Sequence, residues 1–121
     1  KQLIDEPNSV VYTGDFLTAA RFLVAKGCRG VYHVVNRGGI SPKLVMGLYQ
    51  RYVDPKHVVE TISYEQLLSR GLVTSGRSNI TLSVAKLEGE GCPMPDAESR
   101  VVQVMKEICA RKLEKVHCDY Q

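Results

Sequence analysis

The chain has 121 residues, 44% of them apolar, enough for a core and too few for two full-sized domains. Sixteen Lys and Arg are interspersed with 13 Asp and Glu for a net charge of +3, so no basic stripe signals nucleic-acid binding. A secretory leader and a long apolar run are both missing from the sequence, which sets the expectation of a soluble, cytoplasmic protein with no membrane partner.

In chain order, Leu3-Ile4 and Val10-Val11-Tyr12 read as short extended segments. Asp15 is placed to cap a helix running to Lys26, with Phe16, Leu17, Ala20, Leu23 and Val24 as its apolar stripe and Gly27 as its end. Val31 to Val35 is β-branched or aromatic throughout and reads as the covered strand around which the rest is arranged. Asn36 to Gly39 is turn chemistry. Ser41 and Pro42 then suit the N-cap and first turn of a helix carrying Leu44, Val45, Leu48, Tyr49 and Tyr52, which Asp54-Pro55 stops.

His57 to Ile62 reads as a strand, most simply parallel to 31–35 across a right-handed crossover. Ser63 and Gln66 form a capping box for a short helix that Gly71 ends. Residues 72–82 read as a loop, followed by a short helix capped by Ser83 and running through Leu87. Asp96 caps the last helix, whose face is Val101, Val102, Met105, Ile108, Cys109 and Leu113. Residues 114–121 read as a frayed tail.

The sequence is sparing with chemistry. Cys28, Cys92, Cys109 and Cys118 make no C-x-x-C pair, and His33, His57 and His117 are not at ligand spacing from them, so free thiols are expected and a zinc site is not. Gly27 and Gly30 precede the strand, whereas a dinucleotide fingerprint must follow one. Gly38-Gly39, at a helix start, could receive a phosphate but reads first as turn and cap. Tyr52-x-x-x-Lys56 has the spacing of a dehydrogenase Tyr–Lys pair, yet Pro55 lies between the two residues and breaks the helix that would align them. The binding feature with the clearest rationale is Gly76-Arg77-Ser78-Asn79. The Arg77 guanidinium offers forked donors suited to a phosphate or diphosphate, although a plain surface Arg beside a turn-forming Asn has the same signature.

Several stretches, in order, resemble one family. Asn8-Ser9-Val10 with Asp15-Phe16-Leu17 is similar to an Asn-Ser-Val-Thr…Asp-Leu-Leu stretch of nucleotide-sugar epimerase/reductases. Gly30-Val31-Tyr32 through Asn36, Gly38 and Ile40-Ser41 is similar to their Gly-Ile-Tyr-Asn-x-Thr-Asn-Pro-Gly-x-Ile-Ser. Tyr52-Val53-Asp54-Pro55, Arg77-Ser78-Asn79-x-x-Leu82-x-x-x-Lys86-Leu87 and Met94-Pro95 also have counterparts. The resemblance covers residues 4–113 and points to the C-terminal part of a dTDP-4-dehydrorhamnose reductase-like or UDP-4-keto-6-deoxyglucose epimerase/reductase, extended short-chain dehydrogenases of rhamnose synthesis. Arg37 stands where that family has Pro, and Ser83 where it has Asp.

The resemblance implies an α/β fold: a small, partly parallel sheet covered by helices, forming one substrate-side lobe over residues 1–113 with a tail at 114–121. It implies a nucleotide-sugar-binding role, with Arg77 on the diphosphate and Asn79 and Asn36 orienting loops or touching the sugar. It places NADP or NAD, the glycine fingerprint and the catalytic Tyr–Lys pair on an N-terminal Rossmann half, so that these 121 residues bind no cofactor or metal and are not catalytic alone. The partner would be that half or another protein chain. The other reading is a non-catalytic structural or interaction subunit derived from the same family.

Overall fold

The structure, a computed structural model, describes residues 2–73 and 79–118; for Gln2 and residues 114–118 only the backbone is described. Its elements in order are β1 (Gln2–Leu3), α1 (Thr13–Lys26), α2 (Pro42–Tyr52), β2 (Glu60–Thr61), α3 (Tyr64–Ser69), α4 (Ala85–Gly89) and α5 (Ala97–Cys118). They fall into two compact units. One comprises Lys1–Glu6, Ser41–Arg77 and Val101–Gln121, the other Pro7–Ile40 and Ser78–Arg100.

In the first unit β1 and β2 pair in parallel, Gln2 opposite Glu60 and Leu3 opposite Thr61. The Ile62 N–H extends the pairing by donating to the Leu3 carbonyl at 2.9 Å. The strand expected over 57–62 therefore exists only as two residues, and its partner is β1, not 31–35; the expected crossover from 31–35 does not form. Helix α2 begins as its sequence dictates. Ser41 Oγ accepts from the Leu44 N–H at 3.2 Å, and Pro42 occupies the first turn, where no donor is needed. The Ser63–Gln66 capping box is reciprocal, at 3.1 and 3.0 Å. Tyr49 of α2 stands edge-on to His57 at 5.3 Å, and its hydroxyl accepts from Lys112 of α5 at 3.3 Å.

The second unit is built around Ala19, Val84, Leu87, Cys92 and Met94. Residues 31–35 form no strand. Tyr32, Val34 and Val35 pack on that cluster while Val31 is 79% exposed, so the apolar run serves packing rather than pairing. The backbone next to it meets its neighbours singly: the Asn36 N–H donates to the Val10 carbonyl at 2.8 Å and the Arg37 N–H to the Pro95 carbonyl at 2.9 Å. A ladder needs a run of such bonds from one partner, and here each comes from a different segment.

Helix α1 starts two residues before the expected cap. Tyr12 holds the N-cap position with extended backbone, and Asp15 lies inside the first turn. There its carboxylate turns inward to side-chain partners rather than to helical N–H groups. Gly27 ends α1 in the left-handed conformation, at φ +69°, which glycine adopts without a Cβ clash. Helix α4 is Ala85–Gly89 with Val84 at its cap, and Ser83 Oγ accepts from the Ala85 N–H at 3.3 Å, so the cap lies one residue later than expected. Asp96 does cap α5: its Oδ2 accepts from the Ser99 N–H at 3.0 Å. Helix α5 continues through Cys118, beyond the residue where a tail was expected.

Candidate functional site

Three segments of the second unit converge. Asn8 exchanges both backbone hydrogen bonds with Ile40, at 3.2 and 3.0 Å. On its other side, Asn8 Oδ1 accepts from the Ile80 N–H at 3.1 Å and Ser9 Oγ from the Leu82 N–H at 2.7 Å. The Ser9 N–H donates to the Ile80 carbonyl at 2.8 Å. Gly39 is packed so closely that a Cβ there would lie 3.0 Å from Pro7 Cβ and 3.1 Å from Thr81 Cγ2. Segments 7–9, 39–40 and 79–82 are thus joined, with Ile40 buried and Asn79 to Leu82 exposed on the surface they form.

The same unit holds a polar cluster. Asn36 is 1% exposed. Its Oδ1 accepts from the Tyr12 N–H at 2.6 Å, and its Nδ2 donates to Asp15 Oδ2 at 2.7 Å and to the Pro95 carbonyl at 3.2 Å. Asp15 also takes both arms of the Arg100 guanidinium, at 2.8 and 2.7 Å. Arg100 in turn lies over the Tyr12 ring, 5.6 Å from its centroid. One amide therefore ties the entry to α1, the turn after 31–35 and the segment before α5 together.

Of the three residues singled out in the sequence, Asn36 is buried and engaged with neighbouring loops, Asn79 lies on the exposed segment, and Arg77 lies outside the described residues. The Asp15–Arg100 pair escaped the sequence reading. Its signal was a carboxylate four residues before Ala19, the buried point of α1, where an apolar side chain would be ordinary. Tyr52 is the last residue of α2 and the Lys56 N–H donates to Asp54 Oδ1 in the following turn, so those two residues share no helical face. Among the described residues, no three His, Cys, Asp or Glu gather as metal ligands, and no helix is long and apolar enough to cross a membrane. Cys28, Cys92 and Cys109 are free thiols.

No family model matches the sequence. A bifunctional dTDP-4-dehydrorhamnose 3,5-epimerase/dTDP-4-dehydrorhamnose reductase of Arabidopsis thaliana is 24% identical over 90 residues, 74% of this chain and 29% of that protein. A trifunctional UDP-glucose 4,6-dehydratase/UDP-4-keto-6-deoxy-D-glucose 3,5-epimerase/UDP-4-keto-L-rhamnose-reductase of the same plant is 22% identical over 89 residues, 13% of its length. The crystal structure of a UDP-rhamnose synthase from Acanthamoeba polyphaga mimivirus superposes with a TM-score of 0.74 at 22% identity, covering 87% of this chain and 36% of that one. The chain is similar to part of a rhamnose synthase. It spans less than a third of each curated relative. The rhamnose-synthase-like fold is helix-rich, and its sheet among the described residues is the two-residue parallel pair β1–β2.

Proposed function

We propose that this rhamnose-synthase-like chain supplies the nucleotide-sugar-contacting surface of a reductase or epimerase of deoxysugar synthesis, with hydride chemistry carried elsewhere. The observation that carries the reading is the convergence of Asn8-Ser9, Gly39-Ile40 and Asn79–Leu82, three of the stretches that carry the resemblance, through hydrogen bonds of 2.7–3.2 Å. Distant stretches joined in this way act as one surface. Asn79 faces ligand from that surface, Arg77 two residues earlier meets the diphosphate, and Asn36 orients the loops it is bonded to.

NADP or NAD would bind on a further segment that also carries the glycine fingerprint and the Tyr–Lys pair. These 121 residues hold neither. Replacing Arg77 by Ala tests the diphosphate contact. Loss of a charge-assisted hydrogen bond predicts about a tenfold drop in affinity for UDP-glucose, read by calorimetry. Unchanged affinity would refute Arg77's role.

A second reading is a structural or interaction subunit. It is favoured by the outer side of α1, where Phe16, Leu17 and Val24 are 45%, 52% and 81% exposed. The intact mass of the native protein with its partners retained separates the two: one longer polypeptide favours the first, a chain of 13.5 kDa held among other proteins the second.

A further inference from the structure

Resting on the nucleotide-sugar reading, we infer that Asn8 and Ser9 are positioning residues for the ligand-facing segment Asn79–Leu82. A segment at a sheet edge is normally held by a ladder of backbone bonds. Here the Ile80 and Leu82 N–H groups are taken by the side chains of Asn8 and Ser9, at 3.1 and 2.7 Å, and the Ser9 N–H donates to the Ile80 carbonyl at 2.8 Å, backbone to backbone. Asn8 is itself fixed by its two backbone bonds to Ile40. Position therefore passes from the turn at Gly39-Ile40, through Asn8 and Ser9, to Asn79 and its neighbours.

Residues 79–82 are exposed, so water could satisfy the same N–H groups at little cost to stability. What the two side chains add is place. A binding segment held in advance loses less freedom when ligand arrives, which shows in affinity more than in folding. Side chains can do this where a strand cannot, because each reaches one amide without demanding a regular partner on either side.

The test compares the wild-type protein with Asn8→Ala, Ser9→Ala and Ser9→Thr. UDP-glucose and UDP serve as calorimetric probes, with thermal midpoints and amide hydrogen exchange measured alongside. The expected result is an affinity for UDP-glucose about fivefold lower in each alanine variant, a nearly unchanged midpoint, and recovery in Ser9→Thr, which keeps the hydroxyl. Exchange should quicken at Ile80 in Asn8→Ala and at Leu82 in Ser9→Ala. Wild-type affinity in both alanine variants overturns the inference alone. Failure of the wild-type protein to bind either probe overturns the nucleotide-sugar reading, and the inference with it.

Discussion

Asp15 and Arg100 lie 85 positions apart and meet through two charge-assisted hydrogen bonds, 2.8 Å from Nε and 2.7 Å from Nη2. The Asp15 side chain is 9% exposed and that of Arg100 31%. Removing the guanidinium takes two hydrogen-bond donors from this buried side chain. Arg100→Ala should therefore cost about 2–3 kcal/mol of unfolding free energy, below the range for fully buried pairs because Arg100 is partly exposed. Urea denaturation measures it; a change under about 0.5 kcal/mol would show that the pair holds nothing together.

Asn36→Ala should be destabilised by a comparable amount, about 2–3 kcal/mol, because it strands the Tyr12 N–H and removes a donor from Asp15. Asn36→Asp should be worse at neutral pH. It keeps the acceptor for Tyr12 but sets a second carboxylate where Nδ2 lies 2.7 Å from Asp15. Acidification should restore part of the loss in Asn36→Asp and none in Asn36→Ala, read from melting temperatures across pH.

The cap of α5 sets an acid dependence. The Ser99 backbone N–H, followed by its hydroxyl and the nearby Arg37 charge, holds the Asp96 carboxyl below the usual carboxylate value against a smaller opposing effect of burial. A lowered native pKa means that the unfolded chain binds the proton first, so this stability is present above about pH 4 and is lost as pH falls through the native value. Asp96→Ala should cost about 1 kcal/mol at pH 7 and show a shallower decline in acid than the wild-type protein.

Tyr32 gives the opposite sign. Its hydroxyl donates to Glu90 at 3.0 Å, and that bond, with burial and Cys28 adding to it, pushes its pKa up to about 12. The folded protein then holds a proton that the unfolded chain gives up near pH 10, so stability present below about pH 10 is lost as pH rises toward the native value. Tyrosinate absorbance should show a late component in the wild-type protein that is absent from Tyr32→Phe.

Local punctuation was legible where one residue decides the geometry. Ser41 and Pro42, the Ser63–Gln66 box, Gly27 and Asp96 all act where the sequence places them, because a cap is a contact between near neighbours. Pairing was not legible. The run Val31 to Val35 has the residues of a strand, but whether it pairs depends on segments far away, and those bond to Asn36 and Arg37 just after it. Asp15 was misplaced for a similar reason: a carboxylate near a helix start suits a cap equally well, and what draws it inward are Asn36 and Arg100, distant in sequence. At the candidate site, the family resemblance pointed to Asn79, which lies on the exposed segment, whereas the hydrogen bonds from Ile80 and Leu82 to the Asn8 and Ser9 side chains emerge only once residues 72 and 73 positions apart are seen together.

If ligand meets this chain on the segments Asn8-Ser9, Gly39-Ile40 and Asn79–Leu82, as proposed, binding must perturb their backbone amides. Amide chemical-shift mapping of the protein during titration with UDP-glucose tests it most directly. Saturable shifts centred on Asn79, Ile80 and Leu82 and extending to Asn8 and Ser9 are expected. Shifts centred instead on the hollow of about 540 Å³ lined by Asp5, Lys43, Leu44, Gly47, Gln50 and Thr61, or no saturable shifts at all, would contradict it.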